Sequence, residues 1–104
     1  MEFKNSTFKF FNEIYSIRYV DHIDSADDNT YSLGCTDLVN KVITIALKGS
    51  DGKRYSDAHI AQILRHELVH VILGEGQYLE ENLDEPLVEW LAKCIGILKE
   101  KGLI

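Results

Sequence analysis

The sequence has 104 residues, 45% of them hydrophobic, and a formal net charge of −6. That is apolar material for one small core and not for two, so a single domain over residues 1–104 is expected. The acidic balance argues against a global electrostatic grip on nucleic acid, and no apolar run approaches the length that spans a membrane.

The basic residues do not gather into a patch. Lys48, Lys53 and Arg54 border one turn, and Lys99 and Lys101 lie near the last residues, as solvated ends do. The two cysteines, Cys35 and Cys94, form no CxxC pair. With no leader-like start, reduced thiols in a cytoplasmic protein are the expectation.

In chain order, residues 1–12 leave two readings open: "FKFF" is an edge strand or the tail of a short helix. Glu13 to Ile23, "EIYSIRYVDHI", is rich in β-branched and aromatic residues and reads as a strand. "DSADDNT" follows as a polar turn. "DHIDSADDN" holds Asp21, Asp24, Asp27 and Asp28, which lack the glycine and terminal glutamate of a calcium loop and read as solvated. "YSLGCTDLVN" reads as a short strand in which Gly34 marks a bulge or a close approach. "NKVITIALK", Asn40 to Lys48, alternates Val42, Thr44 and Ala46 against Ile43, Ile45 and Leu47, a strand buried on at least one face. "GSDGKRYS" is a turn.

From Ser56 the period changes. Ile60, Ile63, Leu64, Leu68, Val71 and Ile72 recur in steps of three and four, which predicts a helix. Ser56 or Asp57 can cap it, and Gly74 or Gly76 can end it. "QYLEENLDE" reads as a polar connection. A second helix runs from about Pro86 to Lys101, with Pro86 in its first turn and Gly102 at its end. Its apolar arc is Leu87, Val88, Leu91, Cys94, Ile95 and Leu98, and Trp90 at the margin is expected in the core. Strands first and two helices after them predict an α+β fold, a small, mostly N-terminal sheet covered by a helix pair.

The first helix carries His66-Glu67-Leu68-Val69-His70, an H-E-x-x-H pattern. Histidines four apart lie one above the other on a single helix face and can bind one zinc ion through ring nitrogens. Glu67 is turned about 100° away on the helical wheel, so it can reach a water beside the ion without being a ligand. Zinc with three protein ligands keeps a fourth position for water and lowers its pKa toward ~7. Glu67 would take the proton and return it to the leaving group.

A third ligand is required. Gly76 stands where a third histidine of the longer H-E-x-x-H-x-x-G-x-x-H pattern would fall. His59 is about 10 Å from His66 along the helix axis, too far to share an ion, and is expected at the mouth of a cleft. His22 reads as a strand-end residue. The carboxylates that follow are Glu75, Glu80, Glu81, Asp84, Glu85 and Glu89. Glu85, Glu89, Ala92 and Gly96 share one stripe of the second helix, and small residues let another helix approach. Glu85 as ligand with Glu89 supporting a histidine ring is preferred, with the reverse assignment left open. Asn82-Leu83-Asp84-Glu85 also fits a capping box, but Pro86 speaks against that version.

"LRHELVHVIL" followed by "NLDEPLVEWLAKCI" resembles small HExxH proteins of bacteria, phages and prophage-like elements, shortened relatives of the gluzincin metallopeptidases that include the ImmA/IrrE type. The likeness covers about residues 31 to 98. It implies a minimal zincin-like metallopeptidase domain holding one Zn2+ ion, with His66, His70 and Glu85 as ligands. It also implies Glu67 as catalytic base and Glu89, where aspartate is usual, as the supporting residue. "YSLGCTD" and "NKVITIAL" resemble the strand pair that precedes the helix in these proteins, where the edge strand aligns an extended peptide. Tyr78 and Tyr31 are the candidates for a transition-state hydrogen-bond donor. The expected activity is hydrolysis of a protein or peptide substrate, such as a regulatory protein, by a monomer or homodimer. The alternative is a non-catalytic zinc-binding module that engages a cytosolic protein partner.

Overall fold

The computed structural model describes residues 3–24 and 31–104. Among the described residues, six strands precede three helices: β1 (Ser6–Phe10), β2 (Glu13–Val20), β3 (Ile23–Asp24), β4 (Tyr31–Ser32), β5 (Gly34–Asp37) and β6 (Val42–Ala46), then α1 (Asp57–Glu75), α2 (Leu79–Asn82) and α3 (Glu85–Glu100). Four strands form one sheet in the order β1-β2-β6-β5, and β3 pairs with β4 separately. The sheet is mixed: β2 runs parallel to β6, while β1 and β5 are antiparallel to their neighbours. The α+β arrangement expected from the sequence is therefore present, with the sheet ahead of the helices. "FKFF" contributes to the edge strand β1, which settles the choice left open at residues 1–12.

The alternation of β6 positions the core. Ile43 and Ile45 point to one face and are fully buried with Tyr15 of β2 and with Ile60, Ile63 and Val71 of α1. Ser56 caps α1, its side chain accepting from the His59 amide, and Gly76 ends it. Gly74 lies inside the last turn, where Leu38 packs directly on the helix backbone, a Cβ there falling 2.5 Å from Leu38 Cδ1.

A second cluster, Val69, Val88 and Ala92, joins α1 to α3. A fully buried valine contributes roughly 1.5–3 kcal/mol, and these contacts fix the α3 stripe against α1. Helix α1 is thus buried on two faces, toward the sheet and toward α3. A single stripe was expected, and it included Ile72, which is 47% exposed, and omitted Val69, which is 2% exposed. The same geometry corrects the reading of α3. Its buried positions are Val88, Ala92 and Gly96, and Trp90 lies outside the core at 64% exposed, with Leu98 at 40%. Cys94 is only half-buried, and both cysteines are free thiols. Within the polar connection, α2 adds one short helical turn.

The far end of α1 is tied to the sheet by charge. The Lys41 ammonium lies 2.7 Å from Glu75 Oε1, which also accepts a hydrogen bond from the buried Tyr15 hydroxyl. Burial and that bond push the Tyr15 phenol up to about 12. The hydrogen bond from Lys41, followed by that from Tyr15, holds the Glu75 carboxyl below its ordinary value of 4.5. A carboxyl depressed in the folded state stabilises fully above its unfolded pKa and ceases to do so as pH falls through the folded value. Glu75→Gln is therefore expected to lower the urea midpoint at neutral pH, with the gap to the parent protein narrowing as pH drops below 4.5. A gap independent of pH would contradict this tie.

Candidate metal centre

His66 and His70 stand one turn apart on α1, their ring centroids 5.0 Å apart. The α1–α3 contact brings Glu85, the first residue of α3, up to both. Glu85 Oε2 is 2.9 Å from His66 Nε2, and Glu85 Oε1 is 3.1 Å from His70 Nε2. One donor atom from each of the three residues lies within 4.8 Å of the others, so the group can hold a metal ion. Asp84 caps α3 through the Leu87 amide, which leaves the Glu85 carboxylate turned to the histidines and not back to the backbone.

The chemistry of the donor set fits a cation. Glu89 Oε2 lies 2.9 Å from His66 Nδ1, and Asn82 Oδ1 lies 2.7 Å from His70 Nδ1. Both partners are acceptors, so each ring places an N–H on Nδ1. Neutral rings would then aim two Nε2 lone pairs at carboxylate oxygens. That arrangement is repulsive unless positive charge lies between them, as protons on both rings or as one metal ion. Two imidazole nitrogens and a carboxylate oxygen form a set suited to zinc. Glu85 is 63% exposed, so the set is open to solvent on one side.

The supports extend further. Gln62 donates to Glu89 Oε1 at 2.7 Å, and its own carbonyl accepts from Arg65 at 3.2 and 2.8 Å. Arg65 fixes which end of the Gln62 amide faces the carboxylate. Burial pushes the Glu89 carboxyl up, but the hydrogen bonds from Gln62 and His66 outweigh it and hold the group below its ordinary range. Gly96 gives Arg65 its room, since a Cβ there would meet the guanidinium Nε at 2.9 Å.

Glu67 is 6% exposed, between α1 and β5. Its Oε1 accepts from the Thr36 hydroxyl at 2.9 Å. Burial pushes its carboxyl above the usual range, against the opposing pull of Thr36, His70 and His66. Gly34 passes so close that a Cβ would stand 3.0 Å from Glu67 Cγ, which is the close approach expected at that glycine.

His66, Glu67, Glu85 and Gly34 line both lobes of a groove. One lobe, about 360 Å³, continues past Leu33, Ile63 and His59. The other, about 370 Å³, continues past Cys35, Thr36 and Asn82. The edge strand β5 contributes Gly34, Cys35 and Thr36 to the walls, and His59 stands at the margin of the first lobe, against Tyr55.

The structure thus brings together His66, Glu67, His70, Glu85 and Glu89. Tyr78 is 58% exposed, packs over Gly76 and does not line either lobe. His22 is exposed after β2 and also lies outside the lining. The Tyr31 and Asp24 side chains, and Asp27 and Asp28, lie outside what is described. Three residues that hydrogen-bond to the candidate site were not anticipated: Gln62, Thr36 and Asn82. Gln62 carried a signal, being four residues before His66 on the same helix face. Asn82→Ala is expected to weaken metal binding about 10-fold while leaving the fold intact, the lower end of the effect of losing a support behind a ligand. Titration of the apoprotein with zinc measures this, and unchanged affinity would remove Asn82 from the site.

Comparison with known proteins finds no matching family model, no matching curated protein and no matching solved structure.

Proposed function

We propose that the protein is a small zinc-dependent peptidase of the HExxH type, acting in the cytoplasm and related in plan to the gluzincins. The reading rests on one observation, the convergence of His66, His70 and Glu85 beside a buried carboxylate in the middle of a two-lobed groove. Bound zinc would supply Lewis-acid chemistry, polarising a carbonyl and acidifying water.

The chain's own residues supply the rest. His66 and His70 are pre-oriented by Glu89 and Asn82, so binding an ion costs little rearrangement. Glu67 is held by Thr36 on the groove floor, one residue from a ligand, where it can accept a proton from the attacking water and deliver it to the leaving amine. The edge strand β5 offers a template along which an extended peptide can add as a further strand. Glu67, Glu85 and Glu89 line the first lobe, so acidic side chains are disfavoured near Glu85 and Glu89.

The test is to load the purified protein with one equivalent of zinc and incubate it with a mixture of unstructured peptides. Cleavage that a chelator stops and zinc restores supports the reading. Full zinc occupancy with no cleavage of any peptide would favour the non-catalytic binding module instead.

A further inference from the structure

The register of β5 decides which of its backbone groups the groove can use. The Ala46 amide donates to the Leu33 carbonyl, and Gly34, Cys35, Thr36 and Asp37 lie opposite Ile45, Thr44, Ile43 and Val42. In an antiparallel pair, residues that exchange hydrogen bonds alternate with residues that do not. Cys35 and Asp37 therefore bond to β6. The N–H and C=O groups of Gly34 and Thr36 face the other way, toward the free edge, where both residues line the groove. A row of outward donors and acceptors fits one kind of occupant, an extended peptide backbone.

Side chains on a strand alternate between faces, and those of directly opposite residues share a face. Gly34 and Thr36 share the α1 side of β5. A Cβ on Gly34 would meet Ile63 and Glu67, and the Thr36 hydroxyl donates to Glu67. A peptide on this edge thus sends two side chains toward α1, two residues apart, one beside Gly34 and one beside Thr36. Thr36 lines the second lobe and not the first.

The walls of that second lobe divide by chemistry. His66, His70, Glu67, Glu85 and Asn82 are engaged with one another or with Thr36 at the candidate metal centre. What remains to meet a peptide side chain is aliphatic, Leu38 and Leu83. The Leu83 backbone ends α2, and its side chain is 83% exposed, held at the groove without serving the core.

We infer that the second lobe is a specificity subsite for a large apolar side chain of the peptide, with Leu83 and Leu38 as its determinants and Gly34 and Thr36 aligning the backbone. The inference rests on the peptide-binding role proposed above for the groove. At about 370 Å³ the lobe has room for a leucine, methionine or phenylalanine side chain. Residues of the metal centre line both lobes, so the scissile bond falls between the two inward side chains.

Binding and cleavage are measured separately. Zinc-loaded Glu67→Gln protein is equilibrated with a library of unstructured peptides, and the bound peptides are sequenced. They should share a large apolar residue at one position, and alanine there should weaken binding at least about tenfold, as a lost methylene contact in an apolar pocket does. Adding Leu83→Asp should turn that preference to lysine or arginine, with zinc affinity and circular dichroism unchanged. Bound peptides with no apolar preference, a preference indifferent to Leu83→Asp, or no peptide bound at all would overturn the inference. The parent protein and the same library test the peptidase reading. Apolar selection without cleavage would leave the subsite standing and end that reading, whereas cleavage at sites with no apolar preference would do the reverse.

Discussion

Glu67→Gln is expected to lower peptide hydrolysis by about 10²–10⁴-fold, the range contributed by a positioned general acid–base group. The substitution keeps the shape of a side chain that is 6% exposed, and its amide oxygen can still accept from Thr36 Oγ1. What it removes is the capacity to take and return a proton. Glu67 is not among the three converging donors, so zinc should remain bound at the parent affinity. The pattern to look for is activity lost with metal kept. Parallel loss of both would make Glu67 a ligand or a structural prop, and retained hydrolysis would place the proton acceptor elsewhere.

Glu85→Ala is expected to weaken zinc binding about 10²–10³-fold, if the ~10–16 kcal/mol of a structural zinc site is divided over its ligands. The parent protein should gain ~2.7 kcal/mol of apparent stability when free zinc stands at 100 times its dissociation constant, and the variant should gain almost none at that concentration. The exposed position of Glu85 at the start of α3 makes an effect on the apoprotein fold small, so the two consequences separate. Glu89→Ala supplies the comparison. As a support behind His66 it should cost only about 10–100-fold. If Glu89→Ala proves the more damaging of the two, the roles of the glutamates are exchanged.

Much of this site can be read before any coordinates, for identifiable reasons. His66 and His70 share a face because a helix repeats every 3.6 residues, and the change of period at Ser56 announces that helix. Glu85 and Glu89 are placed by Ala92 and Gly96, whose small side chains mark the side of α3 that lies against α1. Gly34 signals either a bulge or a close approach, the two common uses of a strand glycine, and the structure shows the close approach, to Glu67.

The rest depends on tertiary placement. Thr36 supports Glu67 only because β5 forms the sheet edge next to α1, and nothing in "GCTD" announces that neighbour. Asn82 reaches His70 across a connection whose course is set by the short helix α2. Periodicity reports which residues are apolar but not how many partners a helix has. That is why Val69 goes unnoticed although α1 is packed on two sides. It is also why Trp90 is assigned to a core that α3 builds only toward α1.

The central claim, three side chains from two helices meeting on one ion, is tested most directly by X-ray absorption at the zinc edge, combined with metal analysis of the purified chain. The account predicts one zinc per chain, with two imidazole nitrogens and carboxylate oxygen in its first shell, and loss of that signal in His66→Ala. Sulfur from Cys35 or Cys94 in the shell, or a chain that takes up no zinc when all three side chains are intact, would contradict it.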